Sequence, residues 1–272
     1  MEGERIACSV DMTYPSGSYR RRIRMTATPA APQTHAGPQT HAAPQTSTVT
    51  AELEDDFHHF RVTIAHDGRR VTGVRGEGVR YPWSTCPFAA AQLEPLFGMS
   101  LSTRSTAVGD LVSARDNCTH MFDLAGLAVA HAARDGDRRQ YDITVSDPVG
   151  HRRRATLDRD GERLLAWLVD DHTILEPPPF RGQALRGGFL AWAEATLEPD
   201  AAEAAIVLRR ACHIAHGRIQ DLDVYDDAAP LLPIMSGACF TFQPERAPVA
   251  LRMKGTIRDF SDDPEQLLAP QP

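Results

Sequence analysis

The stretch "NCTHMFDLAGLAVAHAA", Asn117 to Ala133, constrains the fold of this chain more than any other. It reads as a helix that is apolar almost all the way round, so it has to be covered on every side. Its polar groups are costly to bury without partners. They are Cys118 and His120 at its start, Asp123 one turn on and His131 near its end. At about 100° per residue, His120, Asp123 and His131 fall on one side, with His131 about 16 Å further along the axis. Those two histidines cannot share a metal ion, whereas His120 and Asp123 form an i, i+3 pair. A carboxylate against an imidazole fixes its tautomer and raises its basicity, which makes His120, oriented by Asp123, a candidate general base. An ion pair stitching the helix to a neighbour is the competing reading. Asp116 or Asn117 is the expected N-cap. Cys118 would then lie in the first turn, where the helix dipole lowers a thiol pKa. Plain packing is the alternative for this cysteine.

The partners of that helix read as strands. "FHHFRVTIAHDGRRVTGV" alternates, with Phe60, Val62 and Ile64 on one face and a turn at His66–Gly68, which predicts a hairpin. The same parity sets His58 on the apolar face and His59 on the other. The chain leaves the strand at Pro82, and a short helix is expected after Pro87. "QYDITVSD" is a further strand, and "RRRATLDRDGERLLAWLVDD" is two strands around Asp160-Gly161. "HTILEPPPFRG" reads as a stiff extended loop and "LRGGFLAWAEATL" as a helix. "PDAAEAAIVLRRACHIAHG" reads as a better helix, with Asp200 and Glu203 as a capping-box pair and Gly217 at its stop. Near its end, His213 and His216 are read as complementing the dipole. "APVALRMKGTIRDF" reads as a last strand. Blocks of strands alternating with blocks of helices predict an α+β fold, antiparallel hairpins with packed helices in one compact domain.

Residues 27–48, "ATPAAPQTHAGPQTHAAPQTST", repeat the unit PQTHA and hold no large apolar side chain. Such a segment cannot bury a core and reads as a disordered insertion, with His35 and His41 part of the replicated tract. The expected organisation is an N-terminal strand region over 1–26, the insertion over 27–48, the main domain over 49–265 and a tail over 266–272.

A net charge of −7 and short basic runs argue against nucleic acid as a partner. The runs, "YRRRIRM" and "HRRRATL", alternate and read as solvated strand faces. No apolar run reaches the roughly 18 residues of a membrane span. The N-terminus lacks the basic-then-apolar pattern of a secretory signal. Five cysteines, an odd number without framework spacing, predict a reduced, cytoplasmic protein. Neither GxGxxG nor GxxxxGK[ST] occurs, so no nucleotide cofactor is expected.

A second cluster of chemical groups is "EDDFHHF", where acidic residues precede the inward-facing His58. Tyr81 and Trp83 in "RYPW" offer an aromatic wall with polar tips, suited to flat organic ligands and equally to a core. A metal, if any, would draw on Cys86, Cys118, His58 and His120, although neither CxxC nor HExxH is present.

Three spaced blocks resemble the bacterial family known as domain of unknown function 2889: "DDFHHFRVTIAHDGRRVTGVRGEGVRYPWSTCPFA", "NCTHMFDLAGLAVAHA" and "AEAAIVLRRA". The resemblance extends over most of the chain outside 27–48. It implies a bacterial, non-secreted, single-domain protein associated with catabolism of aromatic and other organic acids. His58, Tyr81, Trp83, Cys86, Cys118, His120 and Asp123 lie in these blocks, and the PQTHA segment is the main departure.

The function expected from these residues is a cofactor-independent lyase that cleaves an aromatic or organic-acid substrate by acid–base chemistry, as in a retro-aldol step releasing formaldehyde. His120 with Asp123 takes the proton, His58 or Tyr81 stabilises the oxyanion, and Trp83, His59 and Cys118 bind substrate. The alternatives are a Cys/His acyl hydrolase or transferase, a metal-dependent enzyme using a divalent ion, and a non-catalytic binding protein. The expected partner is a small molecule, with a homo-oligomer left open.

Overall fold

In the computed structural model, residues 17–30 and 46–269 are described. Eight strands form one antiparallel sheet: β1 (Ser18–Thr28), β2 (Ser47–Asp55), β3 (His59–His66), β4 (Val71–Arg80), β5 (Arg138–Ser146), β6 (Arg152–Arg159), β7 (Glu162–Asp170) and β8 (Thr173–Glu176). Their order is β4-β3-β2-β1-β5-β6-β7-β8. Two four-stranded meanders are thus joined through their first strands, with Arg22 opposite Asp142 near the middle of the seam. The longer helices are α1 (Thr119–Ala133), α2 (Phe189–Thr196) and α3 (Pro199–Ile214), and a single turn, α4, follows at Leu232–Met235. α1 packs on β1 to β3 and α3 on β5 to β7. Arg210–Asp123 and Arg134–Glu203 ion pairs tie α1 to α3. This is the α+β arrangement of antiparallel hairpins and helices in one domain that the alternation predicts.

Period-two patterning decides which side of the sheet the helices cover. Tyr19, Ile23 and Met25 of β1, Val49, Ala51 and Leu53 of β2, and Phe60, Val62 and Ile64 of β3 all turn to the buried side. The opposite face carries polar ladders such as Arg20–Thr144 and Arg61–Glu52. α1 is buried over most of its surface because β1 to β3 lie under it and the 3-10 segment Ser105–Asp110 lies against it as well. The approach is close enough that a Cβ on Gly126 would sit 1.9 Å from the Ser105 carbonyl oxygen.

Several expected details differ. β1 and β2 run into the 27–48 segment, since Thr28 pairs with Thr48; residues 31–45 lie outside the described residues. The basic run Tyr19–Met25 is not a purely solvated face, because Arg21 occupies an inward register position and is fully buried. In the second run Arg153 is buried as well, while Arg152 and Arg154 are exposed. Cys118, not Asp116 or Asn117, is the N-cap of α1; the Asn117 side chain instead donates to the Gln92 carbonyl at 3.1 Å. Glu203 makes no capping box: Glu198 holds the N-cap position of α3 without a side-chain cap, and the Glu203 carboxylate accepts from Tyr141 and Arg134. "HTILEPPPFRG" holds β8 and a 3-10 turn at Pro178–Phe180. α2 begins only at Phe189, after Gly187 and Gly188 with φ of 59° and 72°. The expected last strand makes only isolated bridges, at Leu251 and Arg252. The C-terminal residues 266–269 lie on the polar face of the sheet, where the Leu267 carbonyl accepts from Arg22 and Leu268 N–H donates to Glu54. Among the described residues no helix is long and apolar enough to cross a membrane.

Candidate functional site

β1 and β2 each interrupt an inward row of apolar residues with one charge. Arg21 follows Tyr19 and precedes Ile23; Asp55 follows Leu53. The register places these two residues directly opposite one another. Arg21 donates to Asp55 Oδ2 through Nη2 at 2.6 Å and Nε at 3.0 Å, and the Tyr19 hydroxyl donates to the same oxygen at 2.6 Å. The other oxygen, Oδ1, accepts from the backbone N–H groups of Phe57 and His58, each at 2.8 Å. An aspartate side chain that caps the next amides in this way turns the chain, and here it carries β2 into β3. Arg80 clamps the turn from β4 by donating to the carbonyls of Asp55, Asp56 and His58.

The turn presents His58 in a fixed orientation. Its Nδ1 lies 2.9 Å from Asp55 Oδ1. A carboxylate accepts, so Nδ1 carries the hydrogen and Nε2 the lone pair. The His58 ring lies against His120, with centroids 3.9 Å apart and planes at 33°, and Phe60 stacks against both, 5.6 Å from His120 and 5.9 Å from His58. His120 enters from the first turn of α1. Its Nδ1 is 4.0 Å from Cys118 Sγ, and its Nε2 is buried with no hydrogen-bond partner among the described residues.

Burial sets the charge states. It would raise the Asp55 carboxyl, but His58, Arg21 and the hydrogen bond from His58 outweigh it and hold the group well below the usual carboxylate range. Burial pushes His58 down against the pull of Asp55, and pushes His120 well down, where a second proton beside His58 and Arg21 is disfavoured further. The resting site is an ionised aspartate and two neutral imidazoles. Tyr19 stays a phenol, raised by burial.

These rings open on a cavity of about 570 Å³, within the range of small-molecule sites. Trp83, Cys86 and Cys118 share its wall with His58 and His120, and Leu231, Met235 and Phe242 cover it. Trp83 meets Phe242 edge-on at 6.0 Å.

The sequence candidates separate accordingly. The structure brings His58 and His120 together and lines the same cavity with Trp83, Cys118 and Cys86. Asp123 does not orient His120; it accepts from Arg210 at 2.7 and 3.3 Å, because Arg210 of α3 faces that side of α1. His59 turns to the polar face of the sheet and meets Glu52 at 2.8 Å. Tyr81 is half-buried outside the cavity wall, near Gly78. Cys118 is not activated by the helix start: burial pushes its thiol well up, and holds that of Cys86 at about 12. That opposes thiolate chemistry. His213 and His216 line the cavity too. His216 Nδ1 meets the Cys212 carbonyl at 2.9 Å, whereas burial and then Arg209 push His213 down to about 3, so it carries no charge to the dipole. Sequence reading missed the roles of Asp55 and Arg21, although a charge in the inward register of an apolar strand is a visible signal.

Among the described residues, Asp55, His58 and His120 are the single group whose donor atoms all lie within 4.8 Å of one another. Cys86 and Cys118 are not part of it, so the expected mixed thiol–imidazole metal set is not assembled. Asp55 already serves six donors, Arg21 among them. A cation at Asp55 would compete with a buried guanidinium, which leaves two imidazoles as free ligands. The arrangement suits a carboxylate-oriented base better than a metal centre.

No curated protein matches the chain. A family model described as Protein of unknown function (DUF2889) matches residues 36–134. That match contains Asp55, His58, Trp83 and His120 but ends before the block "AEAAIVLRRA". Over β2 to α1, the part that builds the histidine pair, the chain resembles the DUF2889 family.

Proposed function

We propose that the chain is a cofactor-independent small-molecule lyase acting by acid–base chemistry on an aromatic or organic-acid substrate. The observation that carries this reading is the Asp55-oriented, neutral His58 packed against a neutral His120 in the wall of a largely apolar cavity. The roles differ from those expected from sequence. His58 Nε2 takes the proton from a substrate hydroxyl, and Asp55 stabilises the imidazolium that forms. The oxygen's electron pair becomes the C=O bond of the released carbonyl as the adjacent C–C bond breaks. The electrons of that bond pass to the remaining fragment, and His58 returns the proton there. His120 Nε2, as N–H, donates to the oxygen that carries charge in between. Electrons balance within the substrate, so no redox partner enters.

The test is a carbonyl-release assay over a panel of aromatic β-hydroxy ketones and β-hydroxy acids, whose remaining carbonyl takes up the electron pair of the broken bond. Wild type should release an aldehyde, and His58→Ala and His120→Ala, folded by thermal melting, should each lose about 10²–10⁴-fold. Full turnover in either variant, or no release from any compound, overturns the proposal.

A further inference from the structure

We infer that the cavity binds its ligand through an anionic group, a carboxylate or similar oxyanion, held where α3 meets the segment before α2. This rests on the same cavity as the proposed lyase and names the class of molecule it takes. The chain has 36 acidic and 29 basic residues. Yet among the described residues no aspartate or glutamate lines the cavity, while Arg186, Arg210 and four histidines do. Arg210 is already paired with Asp123. Arg186 is exposed and has no hydrogen bond or ion pair among the described residues, so its five donors are open to a ligand. His213 faces the same space, and its Nε2 is buried without a partner among the described residues. His172 lies 6.3 Å from His213, ring to ring, and its buried Nδ1 is also unpartnered.

The surrounding groups agree. Arg209, adjacent on α3, gives its Nε to the Leu185 carbonyl at 2.6 Å and is pushed down to about 10 by burial and by Arg210. Burial first, and then the same positive field, keep His213 neutral. A neutral imidazole beside Arg186 and Arg209, neither of which has an acidic partner among the described residues, has an N–H to give and no acceptor to meet. A carboxylate supplies that acceptor, matches the guanidinium fork and relieves the repulsion. A cation gains none of these. Trp83, Phe242 and Met235 leave the rest of the cavity apolar, which fits an organic anion with a flat or hydrocarbon body.

Calorimetric titration of the full chain with phenylacetate, its uncharged isostere phenylacetamide and inorganic phosphate tests this. Phenylacetate should bind at least about tenfold more tightly than the amide, the discrimination expected of charge-assisted hydrogen bonds. Arg186→Gln, a change at an exposed unpartnered residue, should abolish that preference without altering amide binding or Tm. An equal affinity for acid and amide, binding of neither, or a preference that survives Arg186→Gln overturns the inference. Phosphate that binds when phenylacetate does not also overturns it, by assigning the cations to a free anion. His58→Ala should leave the preference intact, so loss of the anion site and loss of the lyase are read separately.

Discussion

Asp55→Asn probes the buried end of the site most directly, because one carboxylate there serves six donors. An amide offers one acceptor oxygen and adds two N–H donors. If the oxygen stays with the turn amides of Phe57 and His58, the NH₂ group confronts Arg21 and the Tyr19 hydroxyl, and three hydrogen bonds are lost. Arg21 and Asp55 are 1% and 0% exposed. Removing one partner of such a pair costs about 3–5 kcal/mol, since the remaining charge has no water to turn to. At about 1.4 kcal/mol per tenfold, the unfolding equilibrium moves by about two to four powers of ten. Urea unfolding at pH 7, with the slope checked for constancy, measures it. The pH dependence has a definite sign. The folded pKa of Asp55 lies below its unfolded value of about 3.9. Its contribution is therefore complete above about pH 4 and lost as pH falls through the folded pKa, so the gap between variant and wild type narrows in acid. Adding Arg21→Met should recover most of the loss, because deleting both charges of a buried pair is often neutral. A loss below about 1 kcal/mol, the size of an exposed pair, would refute the reasoning. So would a loss that Arg21→Met leaves unchanged.

Other outcomes follow from the same geometry. Asp123→Asn breaks a partly exposed pair and should cost at most about 1 kcal/mol in thermal unfolding; a loss matching Asp55→Asn would show that Asp123 has a larger part. Gly126→Ala gains about 1 kcal/mol of helix propensity but drives a methyl into the Ser105 carbonyl. Overpacking of about 1–3 kcal/mol should win, and a raised Tm would count against the close packing. Cys86 and Cys212, with thiols held at about 12 by burial, should resist iodoacetamide at pH 8 in the native protein and react fully in urea. Rapid native alkylation of Cys86 would contradict its burial. Because His58 is pushed below its ordinary value, the acid limb of kcat/KM should fall below about pH 6.5; a limb above that value would show that His58 is not the base.

The antiparallel, hairpin-built fold was legible because alternation is a local signal, and Phe60, Val62 and Ile64 declare a buried face without help from distant residues. His58 was placed on that face by the same parity. Its meeting with His120 was not legible, since it depends on α1 lying across β2 and β3, which no spacing encodes. The Asp123 assignment failed for a related reason. An i, i+3 neighbour on one helix is always within reach in principle, but Arg210 on another helix offered two charge-assisted bonds instead of one to a neutral ring. Position in the first turn points to a dipole-lowered thiol at Cys118, but in the wall of the cavity that thiol responds to desolvation more than to the dipole.

All but one of the strand pairings join consecutive strands; β1 and β5 meet across the chain, Ser18 with Ser146 and Thr26 with Arg138. Each meander can close through local contacts, whereas the β1–β5 seam is the long-range step that slows folding. The PQTHA segment falls inside the β1–β2 connection, away from that step. Doubling the length of such a connection costs only about 0.6 kcal/mol. The Arg21–Asp55 pair forms within the first meander, but Arg210 and His213 arrive with the second. The cavity wall joins His58 and Phe60 of the first meander to Arg210 and His213 of α3, which packs on the second, so ligand binding reports on α3 having docked.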